Sequence, residues 1–302
     1  MQDIIIAGGG PAGITAAIYA LRAGKTVKII ERAAFGGQIT YSPKIENYPG
    51  FTSASGNEIA DAMIEQALSQ GAEVELDNIT GLRINPDGSK TLVGELGEYS
   101  GRAVIIAVGC RHRHLGIERE EEFIGEGISF CAVCDGAFYK GRNVVMIGGG
   151  NSALQEALLL SEICPKVTIV QNLPYLTGEA KLIEQVNAKP NIEVLYGYVA
   201  DSILGDETLK GIRVRAGDNS TVDIEADGIF VAIGLLPENE PFAVAAELDE
   251  RGYFKSDENC LTKTPGVFVA GDCRAKAVRQ ITTAVSDGAV AALAACRYLD
   301  NN

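Results

Sequence analysis

Histidine is scarce in this chain: His112 and His114 are its only two. Both lie in the charged segment Arg111-His112-Arg113-His114, which reads as solvated surface, so neither is expected to be catalytic. Long apolar runs are also missing. No window approaches the roughly 18 consecutive apolar residues of a membrane span. The opening Met1-Gln2-Asp3-Ile4-Ile5-Ile6 has neither the basic region nor the cleavage site of a secretory leader, so a cytoplasmic location is expected. Positive charge is in deficit as well, with 26 Lys and Arg against 40 Asp and Glu, for a net charge of −14. That balance argues against binding nucleic acid or an anionic membrane through the overall field, although a local basic patch could recruit an acidic partner. The seven cysteines, at 110, 131, 134, 164, 260, 273 and 296, are odd in number and scattered, unlike a secreted disulfide framework.

What is present begins with 302 residues, 46% of them hydrophobic, enough for a sizeable core and for two domains. The run Ile4-Ile5-Ile6-Ala7 enters Gly8-Gly9-Gly10-Pro11-Ala12-Gly13 and then a helical pattern from Ile14 to Ala23. A glycine turn between strand and helix lets backbone approach a pyrophosphate, and the helix N-terminus favours its charge. The next strand, Val27 to Ile30, ends at Glu31, an acid placed to accept hydrogen bonds from a ribose. The same order recurs: Asn143 to Ile147 enters Gly148-Gly149-Gly150-Asn151-Ser152-Ala153, a helical run reaches Leu160, and Val167 to Val170 follows. Each half is closed by a similar strand, Ala103 to Gly109 and Gly228 to Gly234, whose glycines mark crossings between domains. The tail, Gly266 to Asp272 and a helical pattern from Thr282 to Leu299, reads as a strand and helix returning to the first domain. The fold class expected is α/β with two Rossmann-like dinucleotide-binding domains of the three-layer ββα type, the second inserted into the first. Residues 1–112 with 241–302 form the outer domain and 113–240 the inserted one.

The inserted segment carries Cys131-Ala132-Val133-Cys134-Asp135. Two thiols at this spacing with an adjacent carboxylate suit reversible disulfide chemistry, which needs a resolving partner and a group to move a proton. By itself the spacing also fits half of a zinc site or two incidental cysteines.

With these motifs in order, the chain resembles the low-molecular-weight thioredoxin reductases over essentially its whole length. The matching residues are Gly8 to Gly13, Gly36-Gly37-Gln38, Glu46 to Phe51, the CxxCD, Gly148 to Ala153, and Gly271-Asp272 followed by Arg279-Gln280. The resemblance implies an FAD-containing homodimer that passes electrons from flavin to an active-site disulfide and on to a thioredoxin, with no metal. It implies that Cys134 sits against the flavin, that Cys131 attacks the protein substrate, and that Asp135 is the acid/base. It implies Gly8, Gly10, Pro11, Ala12 and Gly13 at the FAD pyrophosphate and Glu31 at the ribose. Gly37, Gln38, Asn47, Gly109, Gly271, Asp272, Arg279 and Gln280 would lie along the ribityl chain and flavin. It further implies rotation of the inserted domain about its two connections, with Gly109 and Gly234 as hinge neighbours. The remaining cysteines read as small core or incidental residues.

One departure bears on the electron donor. Members of that family that use NADPH follow the second strand with arginines for the 2′-phosphate. Here the segment is Val170-Gln171-Asn172-Leu173-Pro174-Tyr175-Leu176-Thr177, with no basic residue before Lys181 and no acid at the strand end. NADPH is therefore not expected to serve. The pattern resembles the ferredoxin-dependent flavin thioredoxin reductases, with NADH, partnered by Gln171, as the next donor. Ferredoxin is acidic, so Arg102, Arg111, Arg113, Arg274, Lys276 and Arg279 are the candidates for a basic docking face. A dithiol oxidase using FAD and oxygen, the flavin module of a peroxide-reducing system and a non-catalytic flavin-binding sensor are the competing readings.

Overall fold

Runs such as Ile4-Ile5-Ile6-Ala7 and Val144-Val145-Met146-Ile147 have no polar face, which suits parallel strands buried on both sides. The computed structural model, which describes residues 1–42 and 44–302, folds them that way. It divides the chain into two compact units. One holds residues 1–42, 48–111 and 236–302, and the other holds 112–235 with a short segment ending at Asn47.

In the first unit, a parallel sheet runs Glu73–Leu76, Val27–Glu31, Gln2–Ala7, Glu98–Ile106 and Val267–Val269 in spatial order. The strand Glu98–Ile106 serves two layers. Its end, from Val104, pairs in parallel with Val267–Val269, whereas Glu98 to Gly101 pair antiparallel with Lys90–Gly94, itself paired with Ile79–Ile84. Alternation along the strands decides which face each residue serves. Ile4, Ile6, Ala103 and Ile105 pack with the helices Pro11–Arg22 and Ile281–Asp300, while Ile5, Ala7, Val104 and Ile106 pack with Leu82, Leu92, Phe242 and Phe254. Each fully buried isoleucine here contributes roughly 1.5–3 kcal/mol. The two helices approach closely because Gly288 has no side chain: a Cβ there would lie 2.2 Å from the carbonyl oxygen of Ala12.

The second unit repeats the plan. Its parallel sheet runs Ile192–Tyr196, Val167–Gln171, Val144–Ile147, Gly228–Val231 and Ile128–Ser129, and the strands Tyr198–Leu204, Gly211–Ala216 and Thr221–Glu225 form an antiparallel layer. Val144 and Met146 face the helix Asn151–Ser161 through Leu154, Ala157 and Leu160. Val145 and Ile147 face Ile212, Val214 and Ile224 of the antiparallel layer. The architecture is thus α/β, with two three-layer Rossmann-like units and the second inserted into the first.

The closing strands are shorter than the apolar patterns imply. They end at Ile106 and Val231, and the chain leaves each sheet through left-handed glycines, Gly109 at φ +68° and Gly234 at φ +108°. Among the described residues, no helix is long and apolar enough to cross a membrane.

Candidate active site

The CxxCD segment starts a short helix. The strand Ile128–Ser129 ends at Phe130, Cys131 takes an extended conformation as the cap, and Ala132–Asp135 turn helically behind it. That turn brings the two sulfurs together. Cys131 and Cys134 form a disulfide with a Cα–Cα separation of 5.3 Å, within the usual range for such a bridge. The Cys134 N–H also donates to Cys131 Sγ at 3.2 Å.

Asp135 follows Cys134 in the same short helix. Its Oδ2 accepts a hydrogen bond from Ser129 Oγ at 2.6 Å, and Ser129 Oγ in turn accepts from the Cys131 N–H at 3.1 Å. Its Oδ1 is buried without a hydrogen-bond partner among the described residues. Desolvation pushes the Asp135 carboxyl above its usual range, with the Ser129 hydrogen bond pulling the other way. A raised carboxyl linked through Ser129 to the Cys131 peptide can hold or release a proton within the CxxCD segment.

Glu156, which sequence reasoning missed, joins this group. On the helix Asn151–Ser161 it falls three residues after Ala153 and four before Leu160, both buried, so it sits on the apolar stripe. Its Oε2 accepts the Ala132 N–H at 2.9 Å. An acid at an inward helical position was the available signal.

The two histidines belong to a ring stack. His112 and His114 lie on the Phe130 ring with centroids 4.8 and 5.2 Å away. Burial pushes His112 down to about 4, with His114 adding to the shift, so the His112 ring is neutral at neutral pH. His114 Nδ1 lies 2.8 Å from Glu121.

In the first unit, the glycine turn is a cradle built by close approach. A Cβ at Gly13 would lie 1.9 Å from the Gly8 carbonyl oxygen, and one at Gly8, itself at φ +104°, would lie 2.3 Å from that of Ala107. At Gly10 the nearest atom would be 3.9 Å away, leaving room above the turn. Pro11 occupies the first helical turn, where its missing N–H costs nothing. Ala12 packs against Gly271, where a Cβ would come within 2.9 Å of its side chain. Glu31 is buried and already holds the turn: its two oxygens accept the N–H groups of Gly9 at 2.6 Å and Ala33 at 3.0 Å.

Gly37 and Gln38 open the short 3-10 turn Gly37–Tyr41. Gly109 stands in the exit from the closing strand. Asp272 sits in the turn Gly271–Cys273, with Oδ1 buried and unpartnered among the described residues, and desolvation pushes its carboxyl up to about 6. Arg279 lies over the Tyr253 ring at 4.3 Å and donates from Nε to the Asp272 carbonyl oxygen at 3.3 Å. Gln280 caps the last helix, its N–H donating to Thr283 Oγ1. These residues all belong to the first unit, whereas Asn47 clusters with the second.

The second glycine turn is packed as the first is, against its own chain at the middle glycine and open at Gly150, where the nearest atom to an added Cβ would be 3.7 Å away. A Cβ at Gly149 would lie 2.6 Å from the Gln171 side chain. Gln171 is buried, and it spends its amide locally: Nε2 donates to the Tyr175 carbonyl oxygen at 3.1 Å and Oε1 accepts the Asn172 N–H at 3.1 Å. Thr177 bonds the Gly149 carbonyl oxygen through both N–H and hydroxyl. Asn151 exchanges two hydrogen bonds with Glu179.

The expected basic face is not intact. Arg274 is buried, its side chain 4% exposed and paired with Asp287 at 2.7 Å, and Lys276 pairs with the same carboxylate at 2.8 Å. Arg102 pairs with Asp3 and Arg111 with Glu238. Four of the six candidate cations are thus paired with carboxylates of this acidic chain.

Comparison with known proteins gives a consistent result. A family model described as pyridine nucleotide-disulphide oxidoreductase matches residues 2–288. A thioredoxin reductase of Listeria innocua is 40% identical, the match covering 99% of this chain and 94% of that one. A 34.2 kDa protein in the rubredoxin operon of Clostridium pasteurianum is 39% identical, with 98% and 97% covered. The crystal structure of thioredoxin reductase from Streptococcus pyogenes superposes with a TM-score of 0.94 at 35% identity, covering 100% of this chain and 99% of that one.

Proposed function

The chain belongs to the pyridine nucleotide-disulphide oxidoreductase family, which implies FAD, and on that premise we propose that it is a thioredoxin-disulfide reductase. The observation that carries this reading is the Cys131–Cys134 disulfide with the buried, raised carboxyl of Asp135 beside it. The first unit fits FAD: Gly8 and Gly13 let the turn close on its own backbone, Gly10 leaves its surface open for a pyrophosphate, and the unpartnered Asp272 oxygen suits a ribityl hydroxyl. Pro11 and Ala12 start the helix under the phosphates, and Glu31, Gly37, Gln38, Asn47, Gly109, Gly271, Arg279 and Gln280 complete the set assigned to the cofactor. When bound, FAD supplies two electrons to the disulfide.

The remaining steps fall to the chain. Two electrons and two protons open the Cys131–Cys134 bond to two thiols, with Asp135 handling the proton at Cys134. Cys131, as thiolate, then attacks the thioredoxin disulfide, and Cys134 resolves the mixed disulfide, which returns the protein to its oxidised form. We assign the protein a homodimeric state on the same resemblance.

The donor is not NADPH on this reading, and ferredoxin is favoured over NADH. Support comes from the loop Asn172 to Thr177, which brings no cation, and from Gln171, whose amide is committed to that loop. Two or three missing charge-assisted hydrogen bonds, at about 1.5–3 kcal/mol each, weaken NADPH by several powers of ten. With Arg274 and Lys276 paired inside the first unit, ferredoxin would have to dock on other cations.

The test is anaerobic. The FAD-loaded protein is offered NADPH, NADH and reduced ferredoxin in turn, flavin bleaching is followed, and oxidised thioredoxin is then added. Bleaching by ferredoxin and reoxidation by thioredoxin are expected. Rapid bleaching by NADPH overturns the donor assignment, and failure of thioredoxin to reoxidise the protein overturns the reductase assignment.

A further inference from the structure

Glu156 lies outside the CxxCD segment, yet it is tied to it. Its Oε2 holds the N–H of Ala132, the peptide nitrogen that joins Cys131 to the redox helix. Placing an acid on the apolar stripe of the helix Asn151–Ser161 costs free energy that a glutamine making the same hydrogen bond would not incur. The acid therefore brings something beyond the bond, namely a charge that can be switched by a proton.

We propose that Glu156 is a positioning residue for the Cys131–Cys134 couple, fixing the Cys131–Ala132 peptide through its hydrogen bond and setting the acidity of the Cys131 thiol through its charge. The inference rests on the redox reading of that disulfide. Opening the disulfide takes two electrons and two protons and yields two thiols. For attack, the Cys131 S–H bond must then break, its proton leaving and the electron pair staying on sulfur. A carboxylate at Glu156 opposes that negative charge, and a neutral carboxylic acid does not.

The local electrostatics support the switch. Burial pushes the Glu156 carboxyl up to about 7, the Ala132 N–H pulls it down, and Asp135 pushes it up again. The groups around it are few. The redox helix brings Asp135, and the turn after it brings Tyr139, pushed up to about 12 by burial, with Asp135, Arg142 and Asp227 in its surroundings. The helix Ala180–Asn187, packed on the same helix, carries Lys181 and Glu184. The strands Val144–Ile147 and Val167–Gln171 beneath bring no titratable group. Glu156 thus changes charge near neutral pH while holding the peptide that follows Cys131.

The experiment uses the FAD-loaded protein, reduced with dithiothreitol, desalted anaerobically and alkylated with iodoacetamide from pH 5.5 to 9.5, with Cys131 scored by peptide mass. In the unsubstituted protein the Cys131 profile is expected to be spread over more than one proton's width, because carboxyl and thiol titrate against each other. Glu156→Gln keeps the acceptor and removes the charge. Its profile is expected to narrow and move to lower pH, with alkylation at pH 8 faster by about threefold to tenfold. A one-proton profile in the unsubstituted protein, or a Glu156→Gln profile within twofold of it throughout, overturns the proposal. Failure of the functional reading shows separately: the unsubstituted protein, reduced by dithiothreitol, would not pass electrons to thioredoxin whatever Glu156 does.

Discussion

At the scale of the residue, the chain concentrates its exceptions where chemistry is assigned. Asp135, Glu156 and Asp272 are carboxyls raised chiefly by burial, and Asp135 and Asp272 each keep one oxygen without a partner among the described residues. For Asp272 the consequence has a sign. Its folded pKa of about 6 lies above the ordinary value of 3.8, so its contribution to stability is fully present below about pH 4 and is lost as pH rises through 6. At pH 8 the FAD-free protein then carries a penalty of about 3 kcal/mol at that site. Asp272→Asn is expected to raise the melting temperature of the FAD-free protein at pH 8 but not at pH 4. It should also weaken FAD binding by about tenfold or more, since a hydrogen bond to a charged group is lost. Parallel melting curves at the two pH values and a flavin titration check both signs, and a variant that binds FAD as well as the parent would remove Asp272 from the cofactor set.

At the scale of the element, the two glycine turns show what sequence similarity leaves open. Both join a buried strand to a helix, and in both the strand-end side chain lies over the middle glycine. Glu31 accepts the Gly9 N–H, whereas Gln171 turns its amide to Asn172 and Tyr175. Otherwise the turns match: Gly36 N–H bonds the Gly9 carbonyl oxygen as Thr177 N–H bonds that of Gly149, and a Cβ would meet nothing nearer than 3.9 Å at Gly10 or 3.7 Å at Gly150. If missing cations are what exclude NADPH, then Asn172→Arg with Leu173→Arg is expected to speed NADPH-driven flavin bleaching at least about tenfold, the value of one charge-assisted hydrogen bond. Stopped-flow bleaching measures this. No gain would mean that the loop's own hydrogen bonds, not its lack of charge, close the crevice.

At the scale of the whole molecule, the first unit depends on its last segment coming home. Asp287, on the helix Ile281–Asp300, accepts the Gly271 N–H and binds Arg274 and Lys276, and so anchors the Asp272 turn to that helix. Asp287→Ala leaves the Arg274 guanidinium buried without its carboxylate, and a loss of about 3–5 kcal/mol is expected. Urea unfolding followed by circular dichroism checks it, and a midpoint unchanged from the parent would show that solvent reaches Arg274 freely.

Much of this was legible in the amino-acid order alone. Two glycine turns, each between an apolar strand and a helical pattern, determined the α/β class, because close backbone approach and two-sided burial demand those residue types, and the repeated closing strands with a returning tail gave the inserted plan. The CxxCD spacing determined where a disulfide can close, since one helical turn brings residues three apart together. Tertiary structure decided the rest. Arg274 and Lys276 read as surface cations until distant Asp287 was packed against them, and Glu156, which no motif marks, gained its place when the fold set Ala132 beside it. Hydrogen bonds and burial between residues far apart in the chain set those environments. Only the fold decides which side chains meet.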